Sequence, residues 1–183
     1  MIERWMAAAL ALAGVAGISP ARAEDTATLN CVSEALDPAV AKKLSQGLGA
    51  VVTGDEDVGT EADYAALGEA AGLCGDHHDW SDEATNKAIL FVVADLGIQG
   101  TLPLMKEAGI DPDAAISTMA GLPDSDLAMI VGKSESDEIG EMVLAAAVKA
   151  GLPVETERQQ TLIGVLASYV AQKADALRVF SAQ

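Results

Sequence analysis

The run Asp76-His77-His78-Asp79 contains the residue types that could bind a transition metal. Imidazole nitrogens and carboxylate oxygens together suit zinc, copper or nickel. Adjacent side chains of an extended segment point to opposite sides, and the chain has no further histidine, so a closed site needs carboxylates from elsewhere. One hypothesis is a divalent-metal site at Asp76, His77, His78 and Asp79. The other is a solvated loop that precedes a helix.

A second acidic run, Asp55-Glu56-Asp57, offers the carboxylate oxygens that calcium prefers. The EF-hand pattern does not fit this run. If the pattern starts at Asp55, Thr60 stands where glycine is required and Ala66 stands where glutamate is required. The run therefore predicts weak cation binding at most.

Enzyme motifs are absent from the sequence. There is no GxSxG, HExxH, GxxxxGK[ST] or GxGxxG pattern. Nucleophilic catalysis needs a serine or cysteine beside a histidine base, and the sequence does not indicate which residues the fold brings together. We expect no enzymatic activity and no cofactor, apart from the divalent metal of the first hypothesis.

Residues 1–23 have the pattern of a secretory signal peptide. Arg4 precedes an apolar run at 6–18, and Ala21-Arg22-Ala23 fits the small-x-small cleavage pattern. This apolar run is shorter than the roughly twenty residues that span a bilayer. We predict cleavage after Ala23 and a single exported domain at 24–183, periplasmic or secreted and without a membrane span.

Cys31 and Cys74 are the only cysteines of the chain. Two cysteines in an oxidising compartment predict one intramolecular disulfide. A redox or metal-binding pair is the competing interpretation, but it is typical of closer spacing such as Cys-x-x-Cys. A Cys31–Cys74 bond would close a loop of about 44 residues and stabilise the fold by about 4 kcal/mol.

The charge balance narrows the kinds of partner. Asp and Glu number 28 and Lys and Arg number 11, which gives a formal net charge of −17. Nucleic acid and anionic membranes bind cationic surfaces, so we expect neither as a partner. Cations, or another exported protein of basic charge, are better matched to an acidic surface. The non-functional interpretation is that the negative charge provides solubility or tolerance of salt. The oligomeric state stays open.

Composition and capping signals favour helices. The chain is rich in Ala and Leu, and aromatic residues make up 3% of it. Gly109 and Gly151 are typical of helix ends. Helix starts are predicted at Thr28 or Asn30, Asp37-Pro38, Thr60 with Asp63, Ser81, Asp111-Pro112, Leu122-Pro123-Asp124, Ser134 with Asp137, and Thr156. We predict an all-α fold, a single compact domain of about seven or eight short helices with one disulfide.

Three segments are expected to form the core. The helix from Pro38 has an apolar stripe, and the segment 88–94 is apolar on every side and should be the most buried part. The stripe of the helix from Pro38 consists of Val40, Leu44, Leu48 and Val51. A long amphipathic helix from about Thr156 to Ser181 has a stripe of Ile163, Leu166, Val170, Ala174 and Leu177.

Helix ends are predicted from glycines and polar runs. The helix from Thr60 should end near Cys74, before a polar loop at 75–79. The helix from Ser81 should end near Leu96, before a separate short helix at 100–108. Trp80 is expected to pack as a hydrophobic staple ahead of Ser81.

A small α/β fold is the alternative. A short β-branched run before Gly97 is also typical of a buried strand, so 89–93 and 127–131 could be strands joined by helices. Ser81 is a good helix N-cap, and no third strand is evident. These two observations favour the all-α fold.

Four short features occur in a recognisable order along residues 24–183. They are Cys31, Cys74, the run His78-x-Trp80-Ser81 at a helix start, and Gly109-Ile110-Asp111-Pro112. In this the chain resembles a group of short exported α-helical two-cysteine proteins of unknown function from sphingomonad-type alphaproteobacteria. The resemblance implies an all-helical exported fold and implies no activity.

The sequence thus supports two functional hypotheses of different classes. The first is a non-enzymatic, exported, disulfide-bonded module that binds another exported protein. The second is a periplasmic cation-binding or metal-binding module that uses Asp76, His77, His78 and Asp79.

Overall fold

The computed structural model describes residues 25–53, 59–133 and 136–182, and these residues contain eight α-helices and no strand. The helices are α1 (Asn30–Ala35), α2 (Pro38–Ala50), α3 (Glu61–His78), α4 (Asp82–Glu107), α5 (Pro112–Ala120), α6 (Asp124–Lys133), α7 (Asp137–Lys149) and α8 (Glu157–Phe180). The all-α prediction is confirmed. The α/β alternative is wrong, because 89–93 and 127–131 are helical. The predicted signal peptide and the run Asp55-Glu56-Asp57 lie outside the described residues.

Helices α4 and α8 form an antiparallel pair at the centre of the fold. At one end Trp80, just before α4, contacts Phe180 at the end of α8, with ring centroids 5.1 Å apart. At the other end the Gln159 side-chain amide donates a 3.0 Å hydrogen bond to the Ala108 carbonyl. By length and apolar composition α4 could cross a membrane. Here it is the helix on which α2, α3 and α8 pack.

Helix α2 crosses α4 with backbone against backbone. A Cβ atom on Gly49 would collide with the Gly100 carbonyl, and one on Gly100 would collide with the Ser45 carbonyl. Glycine at both positions lets the helix axes approach this closely. Because Gly100 lies inside an unbroken α4, the predicted helix end near Leu96 and the separate helix at 100–108 are wrong.

Tyr169 joins three helices beside this crossing. Its ring lies against Gly97 of α4, where a Cβ atom would be 2.5 Å from Tyr169 Cζ. Its hydroxyl donates a 3.0 Å hydrogen bond to the Leu48 carbonyl near the end of α2. Burial raises the pKa of Tyr169, and nearby Tyr64 adds to this shift. Leu48 is in the last turn of α2, so its carbonyl has no N–H partner within that helix, and the Tyr169 hydroxyl supplies a donor.

The predicted helix starts are mostly confirmed. Asp37 accepts a 2.7 Å hydrogen bond from the Ala39 N–H, and Ser81 accepts one of 3.0 Å from the Ala84 N–H. Capping boxes begin α3 at Thr60 and α8 at Thr156. Helix α1 begins at Asn30 after a 3-10 turn at Thr26–Leu29.

The start of α7 differs from its prediction. Ser136, rather than Ser134, occupies the N-cap position of α7, and it makes no side-chain capping hydrogen bond. Ser134 lies outside the described residues.

The predicted core of α4 is partly wrong. Ala88, Val92 and Ala94 are buried, but Leu90 is 44% exposed, so 88–94 is not buried on every side. The reason is geometric, since a helix of this diameter needs neighbours all round to bury every side chain. Helices α2, α3 and α8 leave the side of α4 that carries Leu90 open.

The predicted stripes on α2 and α8 are confirmed over most of their length. Leu44 and Leu48 are buried, whereas Val51 is exposed because α2 ends at Ala50. On α8 the residues Ile163, Leu166 and Val170 are buried, and Leu177 is exposed.

The Cys31–Cys74 disulfide is confirmed, with Cα atoms 6.0 Å apart. It joins α1 to α3. Helix α1 has six residues, which is too short for a stable isolated helix. The covalent link and the burial of Leu29, Val32 and Leu36 therefore hold this segment on the fold.

Candidate functional site

Asp76, His77 and His78 form the last turn of α3, so the predicted polar loop at 75–79 is wrong. Gly75 does not end the helix. A Cβ atom there would lie 2.7 Å from the Thr85 hydroxyl, so this glycine allows α3 and α4 to approach closely. The helix ends instead at Asp79, which has a left-handed backbone with φ of 56°.

The four predicted metal ligands lie at this corner with different exposures. His77, Asp76 and Asp79 are exposed, and His78 is half-buried. The two imidazole rings meet edge-on, with centroids 4.7 Å apart. Across the described residues, no group of three or more His, Cys, Asp or Glu side chains is arranged to hold a metal ion. Metal binding at this run stays a prediction.

A column of three aromatic rings joins the same corner to the core. The His78 ring stacks on Trp80 with centroids 5.6 Å apart, and Trp80 in turn meets Phe180 edge-on. Trp80 is buried, as the expected packing role requires. Trp80 closes the end of the α4–α8 pair, and it is not available as an open stacking platform for a ligand.

Two carboxyl groups have lowered pKa values, each for a structural reason. Hydrogen bonds from the Thr60 N–H and hydroxyl lower the pKa of Asp63, and Lys43 at 3.6 Å adds to the effect. Burial raises the pKa of Asp175, but hydrogen bonds from Arg178 and Lys87 outweigh it and lower the pKa overall. Both carboxyls are held in the ionised form, so neither is suited to act as a general acid.

Two open grooves flank α2. One has a volume of about 510 Å³ and lies between α2 and α4, beside the end of α1. The other has a volume of about 430 Å³ and is lined by the Lys43–Asp63 ion pair. The first groove includes both apolar and polar lining, with Lys42 as its one lining cation.

The surface of α3 that faces away from the core is a candidate binding surface. We define the outer face of α3 by Ala65, Gly68, Gly72 and Leu73. Leu73 is 68% exposed, the highest value among the large apolar residues that the structure describes. Among the residues that the structure describes, and apart from the neighbouring turns of α3 itself, no atom lies within 4 Å of a Cβ built on Gly68 or Gly72. The exposed acidic residues on the same side are Glu61, Glu69 and Asp76.

No protein-family model, curated protein or solved structure matches this chain. Functional assignment therefore depends on the chain's own residues. The resemblance to short exported helical proteins stays a prediction.

Sequence reasoning overlooked both the outer face of α3 and the groove between α2 and α4. Gly68 and Gly72, one helical turn apart, were a signal in the sequence of an unoccupied helix surface. The groove had no such signal, because Lys42 and the α4 residues that line it are distant in sequence. Only the crossing of α2 and α4 brings them together.

Proposed function

We propose that this protein is a non-enzymatic, exported module that binds a basic partner protein on the outer face of α3. The observation that carries the proposal is the exposure of Leu73 at one edge of an outer face of α3 that Gly68 and Gly72 leave without side chains. Exposed apolar surface with a rim of polar residues is typical of protein-binding sites.

The two glycines support this proposal energetically. Glycine in a helix interior costs about 1 kcal/mol relative to alanine. Gly49 and Gly100 offset this cost by close packing inside the protein, but Gly68 and Gly72 have no such neighbour in the described part of the chain. An approaching helix could contact the α3 backbone at both positions, because no Cβ atom stands in its way.

The charge of this surface supports a basic partner. Glu61, Glu69 and Asp76 are exposed on the same side of α3, in a chain whose net charge is −17. Complementary charge raises association rates and selects against acidic partners. The partner we propose therefore presents an apolar helix flanked by lysine or arginine.

Photo-crosslinking in cells that natively produce the protein tests this proposal. A photoreactive amino acid at position 73 should form a discrete adduct, and mass spectrometry should identify a basic protein in it. The matched control is position 148 on α7, because Val148 is also apolar and is 58% exposed. Equal adducts from both positions, or an adduct with a second copy of this acidic chain, would contradict the proposal.

A divalent-metal function at the end of α3 is the second candidate. Its support is the exposure of His77 and the 4.7 Å separation of the two imidazole rings. Imidazole is a good ligand for zinc and copper. A rise in melting temperature with zinc or copper that His77→Ala abolishes would support this function.

A further inference from the structure

The groove between α2 and α4 is a wedge that opens from their crossing. The two helices touch at Gly49 and Gly100. The lining residues of α2 and α4 all precede these glycines, at 38–46 and 92–99. The end of α1 closes the remaining side. The wedge therefore follows from the glycine contact, which pins the helices at one point and lets them diverge.

The floor of the groove is aliphatic. Leu36, Val92 and Leu96 line it, and each is buried within the protein. A volume of about 510 Å³ lies in the range of about 300 to 1,000 Å³ that is typical of small-molecule sites. None of the lining residues is aromatic, so the groove lacks a surface on which a sugar or nucleobase would stack. An aliphatic chain fits this lining best.

The polar lining carries one uncompensated positive charge. Asp95 in the groove is neutralised by an ion pair with Lys173, and it accepts a 2.7 Å hydrogen bond from the Gln99 amide. Lys42 has no ion pair within the described parts of the chain, whereas neighbouring Lys43 pairs with Asp63 at 3.6 Å. The groove therefore offers an ammonium group to an anionic ligand.

We propose that this groove binds a single-chain aliphatic carboxylate. The alkyl chain lies on Leu36, Val92 and Leu96, and the carboxylate pairs with the Lys42 ammonium. Pro38 and Gln46 at the ends of the α2 wall are about 12 Å apart at the helical rise of 1.5 Å per residue. A chain of medium length, such as decanoate, matches this span when the long Lys42 side chain, which starts midway along the wall, extends towards one of its ends. The site is separate from the outer face of α3, so it does not depend on the proposed protein-binding function.

Isothermal titration calorimetry tests the proposal on the protein purified after export to a bacterial periplasm. Decanoate is the probe, and decanol and decyltrimethylammonium are the controls for its charge. We expect saturable binding of one decanoate per chain, weaker binding of decanol, and the weakest binding of the cation. Equal dissociation constants for all three ligands, or no saturable heat with decanoate, would overturn the proposal.

Two variants test whether decanoate binding depends on the Lys42 charge itself or on the net charge of the protein. Lys42→Gln should weaken decanoate binding about tenfold, as expected for the loss of a charge-assisted contact. Lys43→Gln is the matched control, since it removes the same charge one residue away, outside the groove. If both variants weaken binding equally, Lys42 does not hold the carboxylate and the proposal fails.

A third variant tests where the alkyl chain of decanoate lies. Ala41→Leu adds bulk to the α2 wall of the groove, where Ala41 is half-buried. It should abolish decanoate binding while the circular dichroism spectrum and melting temperature stay close to those of the parent. Should the variant fail to fold, methyl NMR shifts of Val92 and Leu96 on decanoate addition decide the point. Unshifted methyl signals would contradict the proposed site.

Membrane vesicles test whether the groove binds a free carboxylate or the acyl chains of a lipid bilayer. Vesicles of phosphatidylglycerol present aliphatic chains and negative charge together. We expect no co-sedimentation of the protein with such vesicles, because its net charge of −17 disfavours an anionic surface. Co-sedimentation that decanoate does not inhibit would overturn the assignment to a free carboxylate.

Discussion

The Tyr169 hydroxyl of α8 donates a 3.0 Å hydrogen bond to the Leu48 carbonyl of α2, and the tyrosine ring passes over Gly97 of α4 on the way. One side chain thus links the three helices around the crossing.

Tyr169→Phe should destabilise the protein by about 1 kcal/mol, because it removes a buried hydrogen bond and keeps the ring. Urea unfolding followed by circular dichroism measures this change. Since burial raises the pKa of Tyr169 above its unfolded value, its stabilising contribution is fully present below about pH 10 and is lost at higher pH. The parent should therefore lose more stability than the variant above pH 10. Parallel losses would contradict this assignment.

Gly68→Ala and Gly72→Ala should each stabilise the protein by about 0.5 to 1 kcal/mol, because a methyl group there meets open space. Gly97→Ala and Gly100→Ala are the matched controls within a helix of the same fold. They should destabilise by about 1 to 3 kcal/mol through overpacking. Thermal unfolding of the four variants checks the contrast, and destabilisation by Gly68→Ala would show that α3 does not tolerate the added methyl group.

Cys31→Ser with Cys74→Ser should cost about 4 kcal/mol, the loop-closure value for this separation. The loss should appear first at α1, because this short helix depends on the bond for its position. Hydrogen exchange of α1 relative to α8 measures the effect. Unchanged exchange in α1 would show that burial of Leu29 and Val32 alone is sufficient to hold it.

Asp63→Asn should reduce the dependence of stability on acidic pH. Hydrogen bonds from Thr60 and the charge of Lys43 lower the pKa of Asp63 in the folded state. This stabilisation is therefore present above the unfolded pKa of about 4 and is lost as pH falls through the folded value. Unfolding midpoints between pH 7 and pH 2 measure it. Glu141→Gln, an exposed carboxyl on α7, is the control for the loss of one negative charge.

The metal-binding alternative predicts that zinc or copper raises the melting temperature of the parent, because a ligand that binds the native state stabilises it. The His77→Ala, His78→Ala double variant should lose this shift. Because His78 also stacks on Trp80, His77→Ala alone is the variant that tests metal binding without disturbing the aromatic column. Equal melting temperatures of the parent with and without the metals would exclude this function.

A candidate site could be predicted only where its residues are close together in the sequence. The end of α3 was visible as a cluster of metal-ligating residue types, but its helical conformation was not, because Gly75 resembles a helix end. The groove could not be predicted, because Lys42 of α2 and Asp95 of α4 become neighbours only through the glycine contact.

The amino-acid sequence by itself determined most of the helix starts, the all-α class and the pairing of Cys31 with Cys74. Caps such as Asp37 and Ser81 depend on hydrogen bonds to backbone groups two or three residues away, so they can be read locally. Tertiary structure decided the meaning of the glycines and the exposure of apolar residues such as Leu90. A helical glycine is a packing contact at Gly100 and an open surface at Gly68, and the difference lies in which other helix approaches.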